Sequence, residues 1–259
     1  MKKIILIACV LITGASAALA STFYDDSGDG LWGTAANWWD GAAHLVPTAS
    51  DVAYIKGGKT VAVTGGLSAT ALDVYVGNDS AGALNLDGGG SITAGRLFVG
   101  AYAGGEGTMT VDGNMSFSGS IYVGHSTGVG HLILNGGTTE VGSLLRVGTA
   151  AGSSGTLTIN NGATLKTAST AIQWTDSSTT TIALDLGGTM IFAGDASGTV
   201  GWGLSHDMIV ATGSATGIDW DYNVTTPGET TVTAIPEPAT ITLSMLALGG
   251  LVMARRLKI

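Results

Sequence analysis

Apolar residues follow three regimes along the chain. Residues 4–19 form one apolar run behind Lys2 and Lys3, and residues 241–254 form another ahead of Arg255, Arg256 and Lys258. Between them, short aliphatic clusters alternate with Gly, Thr, Ser, Asn and Ala. In this middle section apolar residues stand two apart, as in Leu84 and Leu86, Met109 and Val111, Leu132 and Leu134, and Leu157 and Ile159. That spacing puts both members of each pair on one face of a strand.

The clusters recur at a period. Val-Gly appears as Val76-Gly77, Val99-Gly100, Val123-Gly124 and Val147-Gly148, at spacings of 23, 24 and 24 residues. An Asx-Gly pair follows each one, as Asp87-Gly88, Asp112-Gly113, Asn135-Gly136 and Asn161-Gly162. Each unit reads as a short strand ending in Val-Gly, a Gly- and Ser-rich loop, a second strand, the Asx-Gly turn and a third strand. Glycine tolerates the positive φ of sharp corners, and Asx side chains there bond their own backbone. One such unit cannot bury its apolar face, but stacked copies can, each coil about 4.8 Å from the next. The predicted fold is therefore all-β, a right-handed parallel β-helix (a β-solenoid of about 24 residues per coil), plus one C-terminal hydrophobic helix. About six or seven coils fit between Val52 and Val210. A β-sandwich also has many short strands, but recurrence of the same two dipeptides favours the solenoid. Beyond Thr170, residues 172–174, 182–186 and 190–192 still alternate while Val-Gly is lost, as degenerate terminal coils would.

The ends divide the chain further. Residues 1–20 read as a secretory signal, with Ala18-Leu19-Ala20 matching the A-x-A pattern and cleavage after Ala20. Leu6-Ile7-Ala8-Cys9 offers a rival lipoprotein signal, but it leaves only residues 4–8 as the apolar stretch. Residues 21–51 are a leader or cap, 52–234 the solenoid and 235–259 a separate tail. Cys9 is the single cysteine, so the processed body has no disulfide and no thiolate chemistry. Between Ser21 and Glu237 lie all 19 acidic residues against five basic ones, a balance that repels phosphate backbones and argues against a nucleic-acid partner.

The tail reads Ile235-Pro236-Glu237-Pro238-Ala239-Thr240, then the apolar stretch, then the basic end. It resembles the PEP-CTERM sorting signal in order, spacing and position. The resemblance implies that Pro236, Glu237 and Pro238 are recognised by an exosortase, an integral-membrane, cysteine-dependent transpeptidase-like enzyme, which removes the helix. The product is then released or attached at the cell surface, commonly in bacteria that make an exopolysaccharide matrix. Independently, Pro236 and Pro238 stop elements entering from the body. Arg255, Arg256 and Lys258 form a basic anchor expected to stay cytoplasmic. The apolar run reaches spanning length when counted from Ala239 with its arginines snorkelling, so an ordinary membrane anchor is the alternative. In the body, Gly155-Thr156-Leu157-Thr158-Ile159-Asn160-Asn161-Gly162 is similar to passenger-domain repeats of autotransporter adhesins and related pectin-lyase-like β-helices. Trp32, Asn37-Trp38, Pro47-Thr48 and Asp51-Val52-Ala53 are similar to the segment that opens many such bodies. This second likeness implies fold and exposure but no activity.

Several residues carry candidate chemistry. Tyr75, Phe98, Tyr122 and Arg146 each precede a Val-Gly pair, and alternation puts them outside the solenoid, stacked as a ladder. Such a ladder is either a ligand-facing platform for a sugar or partner, or a cross-strand device that ties coils together. Trp32, Trp38 and Trp39 pose the same choice between carbohydrate binding and covering the open end of a solenoid. Asp25, Ser27, Asp29 and Gly30 begin like a calcium loop, but Ala36 stands where its bidentate Glu belongs. Gly104-Gly105-Glu106-Gly107 departs from the calcium nonapeptide because Met109 replaces its Asp. The carboxylates are scattered: Asp87 and Asp112 are turn residues, and Glu140 lies near Arg146 without a third partner. His44, His125, His131 and His206 are isolated, and neither HExxH nor a Ser-His-Asp spacing occurs. The sequence thus points to a non-enzymatic protein without cofactor or metal, crossing the inner membrane to serve as a structural or adhesive component of surface or matrix. Its expected partners are the exosortase and exopolysaccharide or cell-surface components. The alternative is a carbohydrate-active β-helix, a polysaccharide lyase or sugar-binding module, sorted by the same tail.

Overall fold

A computed structural model describes residues 20–23, 28–174 and 179–236. Ala18, the residues upstream of it, and the tail with Glu237, Pro238, Arg255, Arg256 and Lys258 lie outside the described residues, as do Asp25 and Asp26. The expected C-terminal hydrophobic helix falls there too. Among the described residues no helix is long and apolar enough to cross a membrane.

The described chain winds as a β-solenoid with three strands per turn. The second face is a seven-stranded sheet, so the winding makes about seven turns. Its strands are Lys59–Val63, Ala81–Leu86, Glu106–Val111, Val129–Leu134, Ser154–Ile159, Thr179–Asp185 and Ile209–Thr212. All pair in parallel, Leu84 with Met109, Met109 with Leu132, Leu132 with Leu157. The first face runs through Val52–Ile55, 73–76, 96–101, Ile121–His125, Leu145–Val147 and Ile172–Gln173. The third holds 68–71, 91–94, Asn114–Phe117, Thr138–Val141, Thr164–Thr167 and Thr189–Ala193. Strands Ser68–Val76 and Ser91–Ala101 bend through a corner and join these two faces into one sheet.

The alternation read from sequence sets the interior. Val61, Leu84, Met109, Leu132, Leu157 and Ile182 stack on the second face, all fully buried, against Val76, Val99, Val123 and Val147 from the first. Each such aliphatic side chain contributes about 1.5–3 kcal/mol on leaving water.

Two columns of glycine fix how closely the walls approach. Gly77, Gly100, Gly124 and Gly148 turn the corner at φ between +60° and +70°. A Cβ on Gly100 would overlap the carbonyl of Val129, and one on Gly124 the carbonyl of Ser154. Facing them, Gly82, Gly107, Gly130 and Gly155 hold the second position of four successive second-face strands. A Cβ on Gly130 would overlap the carbonyl of Val99. Gly77, Gly100 and Gly124 therefore nest against Gly107, Gly130 and Gly155 of the next coil. Where Thr180 takes the place below Gly155, this nesting ends, and the Val-Gly motif ends with it.

One assignment within the repeat shifts. Register pairing places Asn160 beneath Asn135, and Asn160 Nδ2 donates to Asn135 Oδ1 at 2.7 Å. The turn column thus reads Asp87, Asp112, Asn135, Asn160, Asp185, with Asn160 in place of the expected Asn161. The dipeptide match misled because the corner there carries an additional residue.

Both ends of the core are covered. Trp32 and Trp38 are buried, 4.8 Å apart and edge to face, and Trp38 Nε1 donates to the Trp32 carbonyl at 2.7 Å. Trp32 N donates to the Ala62 carbonyl, and Ala62 N to that of Gly30, which adds a half-strand ahead of the first coil. Strand Ala20–Phe23 lies parallel to Val52–Ile55, so Ala20, the last residue of the expected signal, opens a strand of the cap. At the other end, helix Ser197–Ser205 crosses over Trp174, an element the alternation did not predict. A hairpin, Ala215–Tyr222 with Glu229–Pro236, pairs antiparallel onto Thr189–Ala193. Its last strand ends at Pro236, two residues beyond the boundary expected after Ala234, because a proline at a strand terminus removes no needed ladder bond.

Candidate functional site

The most organised outward feature is the ladder on the first face. It has one rung more than the sequence suggested. Tyr54, Tyr75, Phe98 and Tyr122 stack with centroids 4.9, 4.3 and 4.5 Å apart and interplanar angles of 26°, 1° and 8°. Tyr54 escaped notice because Ile55-Lys56 follows it in place of Val-Gly, yet its pairing with Tyr75 puts it in the same column. Arg146 closes the series with its guanidinium carbon 5.0 Å from the Tyr122 centroid. The spacing follows from parallel pairing: one side chain per coil, each a strand apart.

Stacking decides what the ladder can offer. Phe98, between two tyrosines, keeps only 4% of its surface exposed. Successive ring faces cover one another, so a sugar ring has no free face to lie on within the stack, and the outward parts are edges and phenol groups. Burial, and next the neighbouring Tyr102, push the Tyr75 hydroxyl above its ordinary pKa; burial does the same to Tyr54. These phenols stay protonated as hydrogen-bond donors.

Charged groups flank the rings. Asp73 and Arg96, neighbours in register, form a two-pronged pair, Arg96 Nε to Oδ1 at 3.0 Å and Nη2 to Oδ2 at 2.5 Å. Arg96 also lies 5.4 Å over the Phe98 ring, and hydrogen bonding to Asp73 raises its pKa further. Lys56 pairs with Asp79 at 3.1 Å across the next corner, and that bond holds Asp79 below the ordinary carboxylate value. His125 stands beside the lower rungs, 4.9 Å from Tyr122, 5.6 Å from Phe98 and 5.9 Å from Tyr102. Its Nδ1 meets Thr149 Oγ1 at 2.9 Å. Burial first, and the charge of Arg146 second, lower its pKa from the ordinary 6.5. Tyr102 holds φ +62°, a conformation costly for a bulky side chain.

Other sequence candidates are dispersed. Glu140 points from the third face beside Ser116 and far along the coil from Arg146 on the first, so their nearness in sequence is not shared in space. His44 lies against Trp39 and His206 against Trp202, while His131 faces outward between threonines of adjacent strands. Asp29 accepts from Leu31 N, Thr34 Oγ1 and Asn37 Nδ2 and so organises the cap. Among the described residues no three His, Cys, Asp or Glu gather as a metal site. A shallow polar groove of about 340 Å³ crosses the third face along Ser91, Thr93, Asn114, Ser116, Glu140 and Lys166. Near the C-terminal cap, Ile172, Trp174, Gly198, Thr199 and Trp202 line an apolar cleft of about 310 Å³, in which the two indoles stack 5.3 Å apart.

Comparison with protein-family models, characterised proteins and solved structures gave no match.

Proposed function

We propose that this chain is an exported, non-catalytic β-solenoid rod of the cell surface or extracellular matrix, structural or adhesive in role. The observation that carries the reading is the self-closed ladder, in which aromatic faces are spent on neighbouring coils and give a stiff, regular, outward-facing column. Paired glycine columns and covered ends serve the same rigidity. The winding is right-handed, since parallel crossovers take that hand almost without exception. Residues 1–20 direct export. The tail from Pro236, a PEP-CTERM signal with its hydrophobic helix, routes the chain to an exosortase that cuts at Pro236-Glu237-Pro238. The last strand ending at Pro236 supports this arrangement, because the motif then begins where the folded body stops. Intact mass spectrometry of protein recovered from the cell surface tests the sorting. A product ending near Pro238 is expected, whereas a mass retaining residues 241–259 makes the tail a plain anchor.

A second reading, a sugar-binding module, is favoured by the apolar cleft that Ile172, Trp174, Gly198, Thr199 and Trp202 line, where indole edges and aliphatic surface could pack against a sugar ring. Calorimetry with neutral glycans and a Trp202→Ala variant checks it; binding lost in the variant would establish that module.

A further inference from the structure

We propose that Arg146, with His125 and the phenol edge of the ladder beside it, binds the carboxylate of an acidic sugar residue in a polymer laid along the rod. The inference deepens the adhesive reading and is tested on isolated protein, so it stands or falls apart from the sorting of the tail.

The two arginines of the first face provide the contrast. Each lies over a ladder ring, Arg96 over Phe98 and Arg146 over Tyr122. Arg96 has both prongs filled by Asp73. Arg146 has Tyr122 and Gln173 as register neighbours, and neither carries a charge. Among the described residues no carboxylate reaches it, and its Nε is buried without an acceptor. A buried guanidinium N–H left unpaired is costly, and the planar fork of arginine matches a carboxylate with two parallel bonds. The molecule itself shows the complement at Asp73. An external carboxylate would meet Arg146 through its Nη groups, because Nε, which Asp73 reaches on Arg96, is buried on Arg146.

The surroundings narrow the ligand. His125 spends Nδ1 on Thr149 and keeps Nε2 for a second contact. Tyr54 and Tyr75 carry phenols one coil apart, about 4.8 Å, and Tyr122 carries a third two coils further on, past Phe98, so a chain with repeated hydroxyls can follow them along the axis. Lys56, Arg96 and Arg146 border this column, Lys56 paired with Asp79 and Arg96 with Asp73, in a chain of formal net charge -9. In a chain of net negative charge, an acidic polymer is drawn to the one arginine of this column that no carboxylate reaches among the described residues.

The full chain, purified in detergent, is titrated with a β-linked hexaglucuronate, with a neutral glucose hexamer and with acetate, followed by calorimetry and by the NMR titration of His125. The expected result is binding of hexaglucuronate that weakens at least tenfold in Arg146→Gln and is unchanged in Lys166→Gln on the third face. A bound carboxylate offsets the charge of Arg146, so the His125 pKa should rise on binding. The neutral hexamer should bind at least tenfold more weakly. Undiminished binding by Arg146→Gln, or no binding by the native chain, overturns the proposal. Equal displacement of the His125 pKa by acetate at the same carboxylate concentration also overturns it, and points to an acidic side chain of a protein partner. If Arg146→Gln does not fold, Arg146→Lys is read instead; it keeps the charge, loses the fork, and should weaken binding in the same direction.

Discussion

The central coils and the C-terminal unit solve the same problem differently. Between residues 73 and 160 each coil repeats the last, because the corner glycines and the strand glycines nest backbone against backbone. Beyond Thr180 the nesting is gone, and side chains take over. Trp202 of helix Ser197–Ser205 stacks on Trp174, and an antiparallel hairpin closes the third face. Backbone contact enforces a period, whereas side-chain contact covers an end. A solenoid needs both, since an open sheet edge invites pairing with another chain.

This contrast can be broken most sharply at the glycines. Gly130→Val should cost roughly 3 kcal/mol or more, because a branched side chain must enter the space of the Val99 carbonyl. Denaturant titration should show its midpoint collapse or the cooperative transition disappear. A near-native midpoint would mean that the walls are not held by this nesting.

Phe98→Ala is the next largest, at about 3 kcal/mol, since it removes a buried ring and both of its stacking contacts. Trp202→Ala, at the partly exposed end stack, should cost less in the same titration. Equal losses would erase the distinction between ladder and cap.

A smaller effect comes from acid. The folded His125 pKa lies below 6.5, so the unfolded chain binds its proton first and stability falls as pH drops from about 6.5 through the folded value. Above 6.5 this contribution is fully present, and below the folded pKa it levels off. His125→Gln should flatten that segment of the stability profile; an unchanged slope would assign it to other groups.

The smallest change tests the helix of the end unit. Gly198 and Gly201 have open space around a Cβ, so Gly201→Ala should raise stability by up to about 1 kcal/mol. Thermal unfolding should show a modest gain, the opposite sign to the same kind of enlargement at Gly130.

The sequence alone carried the solenoid: apolar residues two apart, Val-Gly and Asx-Gly at a near-constant period, and tryptophans placed before the first coil. These are local signals, since strand alternation and positive-φ corners are properties of a few consecutive residues. The outward column of Tyr75, Phe98, Tyr122 and Arg146 was legible for the same reason. Only the tertiary structure decided the rest. First-face pairing runs at 21 residues from Val52 to Asp73 and at 27 from Leu145 to Ile172, because corners absorb insertions that strands cannot. That freedom hid Tyr54, displaced Asn161 by Asn160, and turned Gly-rich residues 197–205 into a helix held by packing over Trp174. It also set Asp73 against Arg96 and, among the described residues, left Arg146 without a carboxylate, a difference that no spacing in the sequence records because it depends on which side chains meet across coils.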